Sequence, residues 1–146
     1  MEHTVSSYLI ALAPRDGEVL DFLGATATIK SPGWVEIDSP HGFGSPLHVH
    51  HDEDEWFYVL EGEMTIWVDG ETFVAPAGSF AYGPRGLAHT FEVTGAEGAR
   101  FIMVASPTFT EFVRAASGEN PPPPDTLTEI AAEHAIEILG PPGMPA

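Results

Sequence analysis

Short apolar segments alternate with Gly, Pro and Asp from Tyr8 to about Ala105: YLIAL, TATIK, WVEI, EWFYVL, MTIWV, ETFVA, SFAY, HTFEV and RFIMVA follow one another at close spacing. Runs this short, broken this often by turn-forming residues, predict the β-strands of a sandwich or barrel. Glu61-Gly62 and Asp69-Gly70 each sit between apolar runs, where a hairpin needs residues tolerant of positive φ. The strands around them are expected to pair antiparallel.

Past Pro107 the apolar period becomes helical, with Phe109, Phe112 and Val113 on one face, and Pro121 to Pro124 then form a stiff spacer that ends the helix. Thr126-x-x-Glu129 reads as a capping box, so a second helix is expected with Leu127, Ile130, Ala131 and His134 along one face, running out near Leu139 before Gly140-Pro141-Pro142. The division that follows is a β-barrel with its N-terminal strands over 1–106 and a helical C-terminal extension with a Pro-rich spacer over 107–146. No internal repeat is present.

A length of 146 residues suits one domain with one core. Five Lys and Arg stand against 22 Asp and Glu, a net charge of -17. Such a surface repels phosphate backbones and anionic headgroups, which argues against nucleic acid and membrane as partners. With no cysteine, a metal would be held by nitrogen and oxygen ligands, and a reducing cytoplasm is the expected location. The first residues carry neither the basic start nor the long apolar stretch of a signal peptide, and no segment reaches the length of a membrane span.

The candidate chemistry lies in HVHHDEDEWFYVLEGE, residues 48–63. On a strand, side chains two apart share a face, so His48 and His50 project together while Val49 and His51 face away. Glu55 heads the next strand on the same face as Phe57 and Val59, which makes it the best of the local acids for a third ligand. Asp52, Glu53 and Asp54 read as solvated turn residues, since burying uncompensated carboxylates is costly. The fourth candidate is His89, on a strand with Phe91 and Val93 entered through the turn Pro84-Arg85-Gly86. His3, His41, His51 and His134 have no partner at ligand spacing; His51 could orient a neighbouring ligand from behind.

Gly42, His48-x-His50, Glu55 and Gly62 match the first motif of the cupin superfamily at every spacing, and Gly78, Pro84, Gly86 and His89 match the second. The resemblance covers about Ser39 to Ala105, with one departure: Val93 stands where the second motif ends in Asn. It is greatest to small single-domain cupins that resemble quercetin 2,3-dioxygenase. The resemblance implies an all-β fold, a double-stranded β-helix or jelly-roll barrel with a short helical C-terminal extension. It also implies one divalent metal held by His48, His50, Glu55 and His89, with Fe(II) or Mn(II) favoured and Ni(II), Co(II), Cu(II) or Zn(II) compatible with the ligand set.

The activity so implied is a metal-dependent dioxygenase acting on a small phenolic or enolic substrate, with dioxygen as co-substrate and Glu55 as catalytic base as well as ligand. An oxygen-independent isomerase, cyclase or decarboxylase and a non-catalytic small-molecule-binding cupin use the same site. Phe57, Tyr58, Val59, Phe91 and Met103 are candidates to line the substrate cavity. Trp34, Trp56, Trp67, Phe80, Tyr82 and Met103 are first of all expected in the core. The apolar N-terminal segments YLIAL and EVLDFLGATATI exceed what one small barrel needs, and a homodimer that covers the resulting sheet edge is expected.

Overall fold

The computed structural model describes residues 11–143 and Pro145; His3 and the part of YLIAL at 8–10 lie outside them. Alternating apolar positions send one side of each strand inward, and among the described residues ten strands close around the core so formed. One sheet holds β1 (Glu18–Phe22), β2 (Ala25–Ser31), β3 (Trp34–Ser39), β9 (Ala99–Val104), the first half of β5 (Glu55–Val68) and β7 (Phe80–Gly83). The other holds β6 (Glu71–Pro76), the second half of β5, β8 (His89–Val93), β4 (Pro46–His50) and β10 (Ile136–Pro142). All these pairings are antiparallel. The result is a jelly roll whose interior is filled by Ile37, Phe57, Val59, Met64, Ile66 and Phe101, each at most 1% exposed.

The two predicted hairpins fare differently. Asp69 and Gly70 both take positive φ and turn β5 into β6. At Glu61-Gly62 there is no reversal: β5 passes straight through, with a bulge between Val59 and Glu61, and crosses from one sheet to the other. Gly62 is required there because its φ is 81° and an added Cβ would overlap the Gly98 carbonyl. A glycine at a barrel corner and a glycine in a hairpin look alike in sequence.

Helix α1 (Pro107–Ala116) buries Phe109, Phe112 and Val113 as its period predicts, with Ser106 as N-cap. Helix α2 (Pro124–Ala132) starts earlier and ends sooner than expected. Pro123 is its cap, so the Thr126 capping box is not used, and the helix stops seven residues before Leu139. The chain turns at Ala135 in a left-handed conformation and becomes β10, paired with β4. The physical reason is a period of two, with Ile136 and Ile138 turned inward and Glu137 and Leu139 exposed. No helix among the described residues is long and apolar enough to cross a membrane.

Trp34, Trp56, Phe80 and Tyr82 are not core. They are 50, 37, 65 and 44% exposed, on the outer side of the first sheet, because they alternate with the inward residues. Trp67 is half-buried, and only Met103 of that group is in the core. The exposed rings form one band: Trp34 and Trp56 flank Val104 in register, and Trp56 stacks on Tyr82 at 5.7 Å. We propose this exposed band as the surface through which two copies would pair into the homodimer expected from the N-terminal segments. Sedimentation velocity at micromolar concentration is expected to give a dimer for the wild type and a monomer for Trp34→Glu/Phe80→Glu; a monomeric wild type contradicts it.

Beside the band, the carboxylate of Glu36 is buried on the sheet and accepts from Arg15 N–H at 3.0 Å and Arg100 Nη1 at 3.0 Å, with Lys30 Nζ at 3.1 Å. Burial raises its pKa, but the Arg15 backbone N–H and the Lys30 and Arg100 cations outweigh it, and the group sits below the ordinary carboxylate value of 4.5. Its contribution is therefore present above that value and lost as pH falls through the lower folded pKa. Glu36→Gln is expected to cost about 2 kcal/mol at pH 7 in denaturant titration, and the difference from wild type should shrink as the pH is taken into the acid range. A pH-independent difference contradicts this account.

Candidate metal centre

Three strands bring four polar side chains to one end of the apolar barrel. In β4 the alternation turns His48 and His50 inward, and β8 places His89 directly opposite His48. Glu55 opens β5, next to Gly83 of β7, and position 83 faces the His89 ring. All four are buried: His48 is 8% exposed and the other three 2% or less. One potential ligand atom from each lies within 4.8 Å of the others.

The hydrogen bonds behind the rings decide which nitrogen faces the centre. A carbonyl or carboxylate only accepts, so His48 Nδ1–H donates to Pro46 O at 2.7 Å, His50 Nδ1–H to Glu53 Oε2 at 3.1 Å and His89 Nδ1–H to Leu87 O at 3.3 Å. Each imidazole is left with its Nε2 lone pair turned inward. His50 Nε2 and Glu55 Oε2 are buried without a hydrogen-bond partner, 3.6 Å apart. His89 Nε2 and Glu55 Oε1 face one another at 3.1 Å. Lone pairs opposed at this distance are favourable only with a cation or a proton between them. The donor set thus fits a divalent metal, and its three nitrogens and one oxygen suit Fe(II), Mn(II), Ni(II), Co(II), Cu(II) or Zn(II).

The protonation equilibria point the same way. Burial pushes His48 down to about 3, with the neighbouring His89 and His50 adding to the shift, so it is neutral and free to donate a lone pair. Burial raises Glu55, yet the facing imidazoles, His50 foremost, outweigh it and hold the carboxylate at about 2. For His50, burial opposes charge but Glu55 and Glu53 raise its pKa, so a proton on this residue stands where a cation would.

Above the cluster lies a cavity of about 50 Å³. Phe91 and Met103 line it, as do Phe43 of the barrel and Phe109, Phe112, Leu127, Ile136 and Ile138 of the C-terminal segment. Among the described residues its polar side chains are His48, His50, Glu55 and Ser45, and no Lys or Arg lines it.

Three residues expected to line this space do not. Phe57 and Val59 point inward but are packed in the core, with the Phe57 ring edge-on to His89 at 6.3 Å. Tyr58 is 47% exposed on the outer face, because residues 57 and 58 of one strand cannot share a side. His51 is exposed and bonded to Glu137, not to a ligand. His41 bonds the Gly95 carbonyl and His134 the Ile130 carbonyl, both away from the cluster. Glu53 is the larger correction: it is 5% exposed, not a solvated turn residue, because His50 and Ser106 satisfy both of its oxygens. Asp54 does stay in the turn, bonded to Arg85. Of the C-terminal lining, the apolar helix faces of Phe109, Phe112 and Leu127 were read from the sequence, and the strand that carries Ile136 and Ile138 was not.

Comparison with known proteins agrees with this geometry. The cupin domain family matches residues 34–105. Quercetin 2,3-dioxygenase of Bacillus subtilis is 34% identical over 59 residues, covering 40% of this chain and 18% of that protein. Polyketide synthase CurC of Streptomyces cyaneus is 37% identical over 60 residues, 41% of this chain and 39% of that protein. The matches therefore span less than half the length of either relative. Among solved structures, an RmlC-like cupin from Shewanella frigidimarina superposes with a TM-score of 0.59 at 25% identity, over 70% of this chain and 94% of that one. The barrel, the two motifs and these matches agree: residues 34–105 form a cupin domain.

Proposed function

We propose that this cupin is a metal-dependent dioxygenase acting on a small, uncharged phenolic or enolic substrate, with His48, His50, Glu55 and His89 holding one divalent ion, Fe(II) or Mn(II) by preference. The observation that carries this reading is the polarity of the cavity. Its polar side chains gather at the His–Glu end, its remaining walls are largely apolar, and no cation stands ready for a phosphate or carboxylate. A substrate with oxygens at one end and an apolar body matches this polarity. The partial likeness to a quercetin 2,3-dioxygenase supports the oxygen-dependent choice.

A metal at this position would polarise a bound oxygen and, if redox-active, supply the site for dioxygen. The protein's own part rests on Glu55: its Oε2 is buried without a hydrogen-bond partner, which leaves it open to a phenol or enol proton. Phe91, Met103, Phe109 and Phe112 hold the apolar body of the substrate and exclude water from the polar end. At about 50 Å³ the cavity is smaller than a single phenolic ring, so any such substrate requires the C-terminal wall to shift. The likeness to a polyketide synthase favours, as second reading, an oxygen-independent isomerase, cyclase or decarboxylase in the same cavity. A soluble chain in the cytoplasm suits either reading.

Oxygen uptake with catechols, β-diketones and flavonols, by protein loaded separately with Fe(II), Mn(II), Ni(II) and Zn(II), tests the reading. Uptake is expected with a redox-active ion, and Glu55→Gln should lower turnover by about 10²–10⁴-fold, well beyond its effect on metal occupancy, because an amide cannot take the proton. Equal turnover without oxygen selects the second reading, and no turnover under any condition leaves a binding protein.

A further inference from the structure

Glu53 stands between the candidate ligand set and the cavity wall. Its Oε2 accepts from His50 Nδ1–H at 3.1 Å, while its Oε1 accepts from Ser106 N–H at 2.9 Å and Ser106 Oγ–H at 2.5 Å. Ser106 is the N-cap of α1, and its Oγ in turn accepts from Thr108 N–H at 3.2 Å. From that anchored end, α1 sends Phe109 and Phe112 into the cavity, and the Phe109 ring lies 6.0 Å from that of His50. One buried carboxylate therefore fixes both an imidazole that faces the metal position and the helix that closes the space above it. A carboxylate also suits the N-terminal end of a helix, where unpaired N–H groups carry partial positive charge.

We propose that Glu53 is a positioning residue that couples metal binding at His50 to the seating of α1. The inference rests on the metal reading given above and goes beyond it. The reason is one of donor and acceptor counting. Both oxygens of Glu53 face donors, and an ionised carboxylate is the one side chain of this size that accepts on both sides. Oε2 engages His50 Nδ1, so Nε2 is the nitrogen that faces the metal position. A cation drawing on that lone pair makes Nδ1–H a stronger donor and tightens the bond to Glu53, which draws on the same carboxylate that holds Ser106. Metal binding then steadies α1, and displacement of α1 weakens the hold on His50.

Glu53→Gln preserves size and removes one acceptor. With its oxygen toward Ser106, its NH2 confronts His50 Nδ1 and drives the ring to the tautomer whose Nε2–H blocks the metal position. With its oxygen toward His50, its NH2 confronts Ser106 N–H and the start of α1 comes loose. Ser106→Ala cuts the hydroxyl part of the link without touching His50.

The test is titration of metal-free protein with Mn(II) and Zn(II), paired with hydrogen exchange of the α1 amides with and without metal, and with histidine 15N spectra of the metal-free protein. Wild type should bind and show slower exchange in α1 on binding. Glu53→Gln should bind about 10–100-fold more weakly, lose that metal-dependent protection even when saturated, and show a changed tautomer signal at His50. Ser106→Ala should keep the wild-type tautomer and lose part of the protection. A merely structural role for Glu53 would speed exchange in α1 equally with and without metal and leave the His50 tautomer unchanged, which overturns the proposal. So does wild-type affinity and protection in Glu53→Gln. Absence of metal uptake by the wild type overturns the metal reading itself, and the coupling with it.

Discussion

A carboxylate and three imidazoles buried together at one end of an apolar barrel set the constraint that the surrounding structure answers. Burying an unpaired ion costs several kcal/mol, and none of these four groups is more than 8% exposed. Each ring is therefore tied from behind by its Nδ1, two to backbone carbonyls two residues upstream and one to a second buried carboxylate. What remains inside is His50 Nε2 and Glu55 Oε2 without partners and His89 Nε2 opposed to Glu55 Oε1 at 3.1 Å. A site built this way holds its donors in place before anything binds, and a divalent ion removes the repulsion that the donors share.

The barrel supplies the positions. β5 contributes to both sheets, so Glu55 at its head is held against β7 and β9 while its tail pairs with β8, which carries His89. Gly62 allows this crossing. β10 then lies beside β4, with Ile136 opposite His50 and Ile138 opposite His48. The C-terminal segment thus forms part of the site's wall, and the cavity would be open without it.

The ligand set was legible in the sequence because a period of two and a few glycine-marked turns are local signals: His48 and His50, Glu55 with Phe57, and His89 after Pro84-Arg85-Gly86 all declare their faces. The corner at Gly62 was misread as a hairpin because sequence shows the need for positive φ and not its setting. Glu53 was misread because its burial depends on Ser106, 53 residues away. Tyr58 and the outer aromatic band show a limit of another kind: alternation tells that Trp56 and Tyr58 oppose Phe57, but large apolar side chains on both faces leave open which face is the core. β10 was hidden by a helical pattern that stops at Ala132 and by Gly140-Pro141-Pro142, which reads as an end and not as an edge strand.

The central claim is that three imidazoles and one carboxylate converge on a single metal position. Pulsed electron paramagnetic resonance of protein carrying one Cu(II) per chain tests it most directly, since the remote nitrogens of coordinated imidazoles can be counted. The account predicts three imidazoles in the wild type and two in each of His48→Ala, His50→Ala and His89→Ala. A bound ion with no imidazole signal, or a count that none of the three substitutions changes, would contradict it.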